Sequence, residues 1–190
     1  MTALDRRQLL QIGAGGAALA AAPRTLRAEP RRGGTLRIGR AHGSTTDSLD
    51  PGTWENDFTI GQAFAFNNFL TEIDETNELR GEIAESWEAT PDAKQWIFRI
   101  RQGVTFHNGK DVTPEDVVAS LNHHRGEDTK SAAAGIVEQI EDIRVDGQNV
   151  IVTLSGPNAD FPYIVSDYHL AIQPSSEGKI DWQAGIGCGP

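Results

Sequence analysis

The alternation of apolar and polar side chains is sharpest between Trp96 and Arg101. Trp96, Phe98 and Ile100 fall on one side of an extended chain, and Ile97, Arg99 and Arg101 on the other. This period of two predicts a strand with one buried face. Ser86 to Ala89 predicts its hairpin partner, because Thr90-Pro91-Asp92-Ala93 between them is turn chemistry. Pro91 presets φ at the first central position, and Asp92 can bond its own backbone. Gln102-Gly103 breaks the pattern, Val104 to Phe106 predicts a further short strand, and Asn108-Gly109 turns the chain again. The period then changes. Thr113-Pro114-Glu115-Asp116 predicts a helix start, with Thr113 at the N-cap, Pro114 at the first helical position and acids in the first turn. Val117, Val118 and Leu121 supply its apolar stripe.

Other segments follow the same logic. Thr35 to Gly39 predicts a short strand with Leu36 and Ile38 on one face. Ile60, Ala63, Phe64, Phe66, Phe69 and Leu70 predict a helix over 59–70. Residues 71–82 read as an acidic, turn-rich connection holding Asp74, Glu75 and Glu78. Paired carboxylates can do acid–base chemistry, but with no apolar pocket signal around these a solvated edge is expected. Ser131 to Ile136 predicts a small-residue helical turn. Ile140 to Val145 and Val150 to Leu154 flank Asp146-Gly147-Gln148-Asn149, which predicts a hairpin with an Asp-Gly turn. Asp160 to Ser166 predicts a short helix, and Tyr168 to Ile172 another strand. The expectation is an α/β protein with mixed sheets and helices at their faces.

The N-terminus follows different rules. Asp5-Arg6-Arg7-Gln8-Leu9-Leu10 is a twin-arginine motif ahead of a Gly/Ala-rich run from Leu9 to Ala22, too short and too small-residue-rich for a membrane span. Residues 1–28 are therefore expected to be a twin-arginine signal peptide, cut near Leu26-Arg27-Ala28. That route implies a soluble periplasmic protein and the twin-arginine translocase as a partner during export. The formal net charge of −10 argues against nucleic acid as a partner, which needs a basic footprint. The single cysteine, Cys188, rules out an intrachain disulfide and reads as a small buried residue. No cysteine stands at the cleavage site, so no lipid anchor is expected.

Candidate chemistry is sparse. There is no Walker motif, GxGxxG after a strand, GxSxG, HExxH or CxxC. Binding is therefore expected over catalysis, with no cofactor. The adjacent His123 and His124 would point about 100° apart on a helix, and His42, His107 and His169 are scattered, so no metal site is expected. The loop Arg40 to Ser48 is small and polar; Ser44, Thr45, Thr46 and Asp47 offer hydroxyls and a carboxylate to a ligand, or form an ordinary solvated loop. Trp54 is expected to be buried or to line a pocket.

The ordered motifs of Ala84 to Val117, from AESWE through GVTFHNGK to VTPEDV, resemble the signature region of the family 5 extracellular solute-binding proteins. Those are the dipeptide-, oligopeptide- and nickel-binding components of bacterial ABC importers. The resemblance runs with gaps from about Gly34 to Pro190. The ending Gly185-Ile186-Gly187-Cys188-Gly189-Pro190 resembles the family's IGTGP motif, with Cys188 in place of the usual Thr. It implies a class II periplasmic-binding-protein clamp that closes on its ligand by a hinge. It assigns 29–50 to a first-lobe strand and ligand-edge loop, 51–166 to a second domain, and 167–190 to the return into the first lobe. A third domain lies beyond Pro190 in family members, so the chain is expected to be truncated. The implied function is capture of a peptide for an inner-membrane ABC permease complex, by a protein that is monomeric when intact. Thr45, Thr46, Asp47 and Trp54 are the expected ligand contacts. The alternatives are another solute (a nickel chelate, heme, opine or sugar), a fragment without binding activity, or a twin-arginine-exported enzyme.

Overall fold

The computed structural model describes residues 33–190. The expected signal peptide, its twin-arginine motif and its cleavage site lie outside the described residues. Gly33–Ile38 falls in a separate unit from Gly39–Pro190. It contains no strand, and Leu36 and Ile38 are 83% and 68% exposed, contrary to the strand expected at Thr35 to Gly39. Alternation alone does not make a strand; its backbone groups need a ladder partner, and the segment finds none among the described residues.

The larger unit is organised around a four-stranded antiparallel sheet. Its strands are β3 (Ala84–Ala89), β4 (Gln95–Ile100), β5 (Ile140–Asp146) and β6 (Asn149–Leu154), in the order β3-β4-β6-β5. β4 and β6 are central and carry the alternation seen in the sequence. Trp96, Phe98 and Ile100 are buried, with Val150, Val152 and Leu154 on the neighbouring strand. Phe98 packs between Trp96 at 6.4 Å and Phe161 at 6.1 Å, ring centre to ring centre. The Trp96 indole N–H donates to the Asn158 carbonyl at 3.1 Å, which satisfies the one polar group that this ring takes into the core.

Helix α2 (Pro114–Asn122) closes that core with Val117 and Leu121. Its start is the expected one: Thr113 Oγ1 accepts from Asp116 N, and the Asp116 carboxylate accepts from Thr113 N at 3.0 Å. Helix α1 (Asp57–Phe66) is capped in the same way by Asn56 and Thr59. It is shorter than expected, because Asn67 turns extended and donates its side chain back to Ala63 O. Phe69 and Leu70 then leave the helix and bond to the backbone of residues 82–84. Two single-turn helices, α3 (Ala134–Val137) and α4 (Phe161–Ile164), complete the helical layer.

Three further expectations need correction. The acidic connection 71–82 is a hairpin of β1 (Thr71–Ile73) and β2 (Leu79–Gly81). Glu75 and Glu78 are exposed, as expected of a solvated edge, but Asp74 builds the turn: its Oδ1 accepts from Thr76 N at 2.8 Å, Thr76 Oγ1 at 2.6 Å and Glu78 N at 3.0 Å, while Arg80 pairs with Asp74. These bonds hold the Asp74 carboxyl well below the ordinary carboxylate range. Val104 to Phe106 makes only one bridge, Thr105 to Asp111. Tyr168–Leu170 is a turn of 3-10 helix, not a strand, because Asp167 caps it by accepting from His169 N at 2.9 Å. The β5–β6 hairpin is present, but Asp146 pairs with Asn149, so Gly147 and Gln148 are its central residues. Gly147 sits at φ +58°, a left-handed angle that glycine adopts without a Cβ clash. A last small hairpin joins β7 (Ser175–Ser176) to β8 (Lys179–Ile180).

Candidate functional site

The loop Ser44–Ser48 is built from its own polar groups. Asp47 Oδ2 accepts from Ser44 N at 2.6 Å, and Ser44 Oγ lies 2.9 Å from Thr46 Oγ1. Asp47 Oδ1 accepts from Asn56 Nδ2 at 2.9 Å. The carboxylate thus ties the loop to the N-cap of α1, and Thr45 and Thr46 stay exposed. Trp54 follows a 3-10 turn, Pro51–Thr53, capped by Asp50, which accepts from Gly52 N at 2.9 Å. His123 Nε2 donates to the same Asp50 oxygen at 2.7 Å, which anchors the turn to the end of α2. Trp54 is 3% exposed and packs with Ala63, Phe69 and Ala171. Its indole N–H donates to Ser48 O at 3.1 Å, so the tryptophan holds the far end of the loop.

Trp54 also lines a cavity of about 220 Å³, which none of Thr45, Thr46 and Asp47 lines. Trp54, Leu49, Phe66, Trp182 and Ile186 supply its apolar walls, and Gln62, Asn67 and Gln173 its polar groups. Trp182 is placed by a 3-10 turn that Gly185 closes at φ +63°. Gly187-Cys188-Gly189 passes tightly against the end of α1: Gly189 N donates to Phe66 O at 2.9 Å. A Cβ on Gly187 would collide with the Phe66 carbonyl oxygen, and one on Gly189 would lie 2.7 Å from the Phe66 carbonyl carbon. His107 N donates to Gly187 O at 2.9 Å on the other side. Cys188 is buried, its Sγ 3.6 Å from Ile172 O, and burial pushes its thiol up to about 11. At neutral pH such a thiol is protonated and inert.

The expected contacts divide. Trp54 reaches the cavity wall; Thr45 and Thr46 present hydroxyls from the loop that Trp54 holds; Asp47 organises that loop. Trp182, Asn67, Gln62 and Gln173 were not singled out by sequence reasoning. A tryptophan just before a glycine-rich turn is a usable signal for Trp182, whereas nothing in the local pattern marks Gln173. A wider hollow of about 820 Å³ lies beside the end of α2, lined by Arg125, Gly126, Glu127, Gly135 and Glu138 among others. Arg125 already donates to Asn122 Oδ1 and to the carbonyls of Ile140 and Glu141, while His124, whose Nε2 is buried without a partner among the described residues, also lines the hollow. His124 Nδ1 lies 2.7 Å from Ser131 Oγ, and His169 Nδ1 donates to Asp167 at 2.7 Å. No group of His, Cys, Asp and Glu among the described residues is arranged to hold a metal.

The pattern of the bacterial extracellular solute-binding proteins, family 5 Middle, matches residues 78–190. The HTH-type transcriptional regulator SgrR of Yersinia enterocolitica is 31% identical over 127 residues, which cover 65% of this chain and 22% of that protein. The structure of AgaA from Agrobacterium tumefaciens, in complex with agropinic acid, superposes with a TM-score of 0.67 at 27% identity, covering 75% of this chain and 30% of that one. The oligopeptide-binding protein AppA of Bacillus subtilis, in complex with a nonapeptide, gives 0.65 at 23%, covering 74% and 30%. The fold is thus part of a class II periplasmic binding protein, spanning about a third of such chains. With the family pattern covering more than half of its length, this chain belongs to the bacterial extracellular solute-binding proteins of family 5.

Proposed function

We propose that the chain serves a periplasmic solute-binding protein that captures peptides for an inner-membrane ABC permease complex, without catalysing a reaction. The observation that carries this is the pairing of a polar loop with an apolar cavity across one tryptophan, in a chain of this family. Peptide capture uses backbone hydrogen bonds plus pockets for side chains. Thr45 and Thr46 offer the former, Trp54 walls the latter, and Asp47 keeps the loop in place. In the same reading the protein is exported by the twin-arginine translocase and acts as a monomer. The acidic balance of the chain argues against a nucleic-acid role, although several relatives are named transcriptional regulators.

A second reading is a small opine-like solute, favoured by the 27% identity to the protein described with agropinic acid. Calorimetric titration with dipeptides, an oligopeptide and agropinic acid separates the two. The peptide reading expects saturable binding of peptides and none of agropinic acid. Binding of agropinic acid alone would replace it with the second reading, and binding of neither would remove both.

A further inference from the structure

We propose that His124 is a proton-operated latch behind Trp54: its neutral ring keeps the Pro51–Thr53 turn seated, and uptake of a proton in acid releases that turn and the tryptophan that follows it. Residues 123–132 grip the turn at three points. Asp50 Oδ1, which accepts from Gly52 N at 2.9 Å, also accepts from His123 Nε2 at 2.7 Å. Gly52 O accepts from Ala132 N at 2.9 Å. Ser131 packs so closely on Gly52 that a Cβ there would lie 3.2 Å from the serine Cβ and Oγ. His124 supports the first and the third of these contacts. Its ring centre is 5.1 Å from that of His123, and its Nδ1 lies 2.7 Å from Ser131 Oγ. Trp54 comes directly after the turn, bonds Ser48 O through its indole and walls the cavity.

A charged ring does not fit this place. His124 has no exposed surface. Ser131 Oγ already accepts from Ala133 N at 3.1 Å, so its own O–H donates to His124 Nδ1, and the neutral ring carries its hydrogen on Nε2. A second proton would land on Nδ1 and displace the Ser131 donor. Nε2 has no partner among the described residues to stabilise the charge. The surrounding groups are mixed. His123 beside it, His169 from the Tyr168–Leu170 turn and Arg125 in the adjoining hollow oppose a positive ring. Asp50 and Asp167, the caps of the two turns, and Glu127 and Glu138 in the hollow favour one. Burial is the largest influence and, with the two histidines, holds His124 down to about 4. Once protonated, the ring gains by moving toward the hollow that it borders, where Glu127 and Glu138 lie. Ser131 and His123 then lose their support under the turn. A solute seated against Trp54 would be released on acidification; the latch itself needs no particular solute and stands apart from the peptide reading.

The test follows the indole N–H signals of the purified, nitrogen-15-labelled protein by NMR. The tryptophans are Trp54, Trp87, Trp96 and Trp182, and the Trp54 signal is the one missing from Trp54→Phe. As the pH is lowered from about 7 toward 3.5, that signal is expected to move along a one-proton curve while those of Trp87 and Trp96, in the sheet, hold still. His124→Asn keeps an oxygen where Nδ1 stood but takes up no proton, and should abolish the movement. Ser131→Ala removes the bond that favours the neutral ring and should raise the midpoint by about half to one pH unit. Four outcomes overturn the latch: a Trp54 signal that stays put in the folded protein, movement that survives in His124→Asn and so belongs to Asp50, a midpoint that Ser131→Ala does not raise, or the simultaneous collapse of every indole signal, which is acid unfolding of the whole chain.

Discussion

Lys110 Nζ donates to Asp116 Oδ1 at 2.6 Å, beneath the start of α2. The same oxygen accepts from Ser175 N and Ser175 Oγ, both at 2.7 Å, while Oδ2 accepts from Thr113 N and Thr113 Oγ1 at 3.0 Å. One carboxylate with no exposed surface thus ties together the Asn108-Gly109 turn, the helix cap and the β7–β8 hairpin. Burial opposes its charge, but the bonds from Lys110, Ser175 and Thr113 outweigh that and hold it below its ordinary value. Asp116→Ala should therefore cost about 2–4 kcal/mol, because it leaves the donors of Thr113 and Ser175 without their acceptor. Lys110→Ala should cost less, because Lys110 is partly exposed and the other donors remain. Urea denaturation of both variants checks the order; equal losses would mean that the cap and the Ser175 bonds contribute little.

The close approach of residues 187–189 to the end of α1 makes a contrasting pair of glycine substitutions. Gly187→Ala places a methyl group against the Phe66 carbonyl, with His107 N bonded on the other side, so backbone must move. A loss of about 1–3 kcal/mol is expected, as for an overpacked core. Gly135 lies exposed in α3 with open space around its missing Cβ. Gly135→Ala should stabilise by about 0.5–1 kcal/mol through helix propensity and reduced unfolded-state entropy. Melting temperatures moving in opposite directions are the expected result. A neutral Gly187→Ala would show that the segment shifts freely.

The local elements were legible where a cap or an alternation determined them. Thr113 and Asp116, Trp96 to Ile100, and the β5–β6 hairpin all form where their side chains say they should. Prediction failed at Tyr168–Leu170 because the local cap by Asp167 was overlooked, and elsewhere where the decisive partner is distant in sequence. Phe69 and Leu70 carry a helical pattern but pair with residues 82–84, and Leu36 and Ile38 alternate without a ladder to join. The site was half legible for the same reason. Trp54 announces itself by residue type, whereas Thr45, Thr46 and Asp47, expected beside it, do not line the cavity. Gln173 reaches the cavity only because α1 and the turn before Gly185 come together there, which no local pattern encodes.

Two buried groups should give opposing pH dependences. His124 is lowered to about 4, by burial first and then by His123 and His169, with Asp50 pulling the other way. The unfolded chain therefore binds the extra proton between pH 6.5 and 4, and the stability His124 contributes is complete above pH 6.5 and lost as pH falls. The loss is about 3 kcal/mol at the acid end. Glu82 is raised to about 7 by burial, against the hydrogen bond it accepts from Phe69 N. Its contribution has the opposite sign: it is present below pH 4.5 and lost as pH rises toward 7. The two partly cancel in the native protein. Urea midpoints of Glu82→Gln should rise from pH 4 to 6.5, and those of His124→Gln should fall from pH 4.5 to 7. Identical profiles in both variants would mean that neither residue titrates as its surroundings dictate.

Ligand contact by the Ser44–Ser48 loop can be separated from its structural role. Thr45 and Thr46 are exposed, so removing both hydroxyls should change stability by no more than about 0.5 kcal/mol. If they bond the solute, Thr45→Ala with Thr46→Ala should weaken binding roughly tenfold for each hydrogen bond lost. Trp54→Ala is a poorer probe, since emptying a site 3% exposed should itself cost about 3–5 kcal/mol. Trp54→Phe keeps a ring in the wall and removes only the N–H that holds Ser48 O. It should loosen the loop at a cost of about 1 kcal/mol and weaken the solute less than the double threonine change. Affinity that is unchanged when both threonine hydroxyls are gone, in a protein of unaltered melting temperature, would take the loop out of the site and leave binding to the cavity alone.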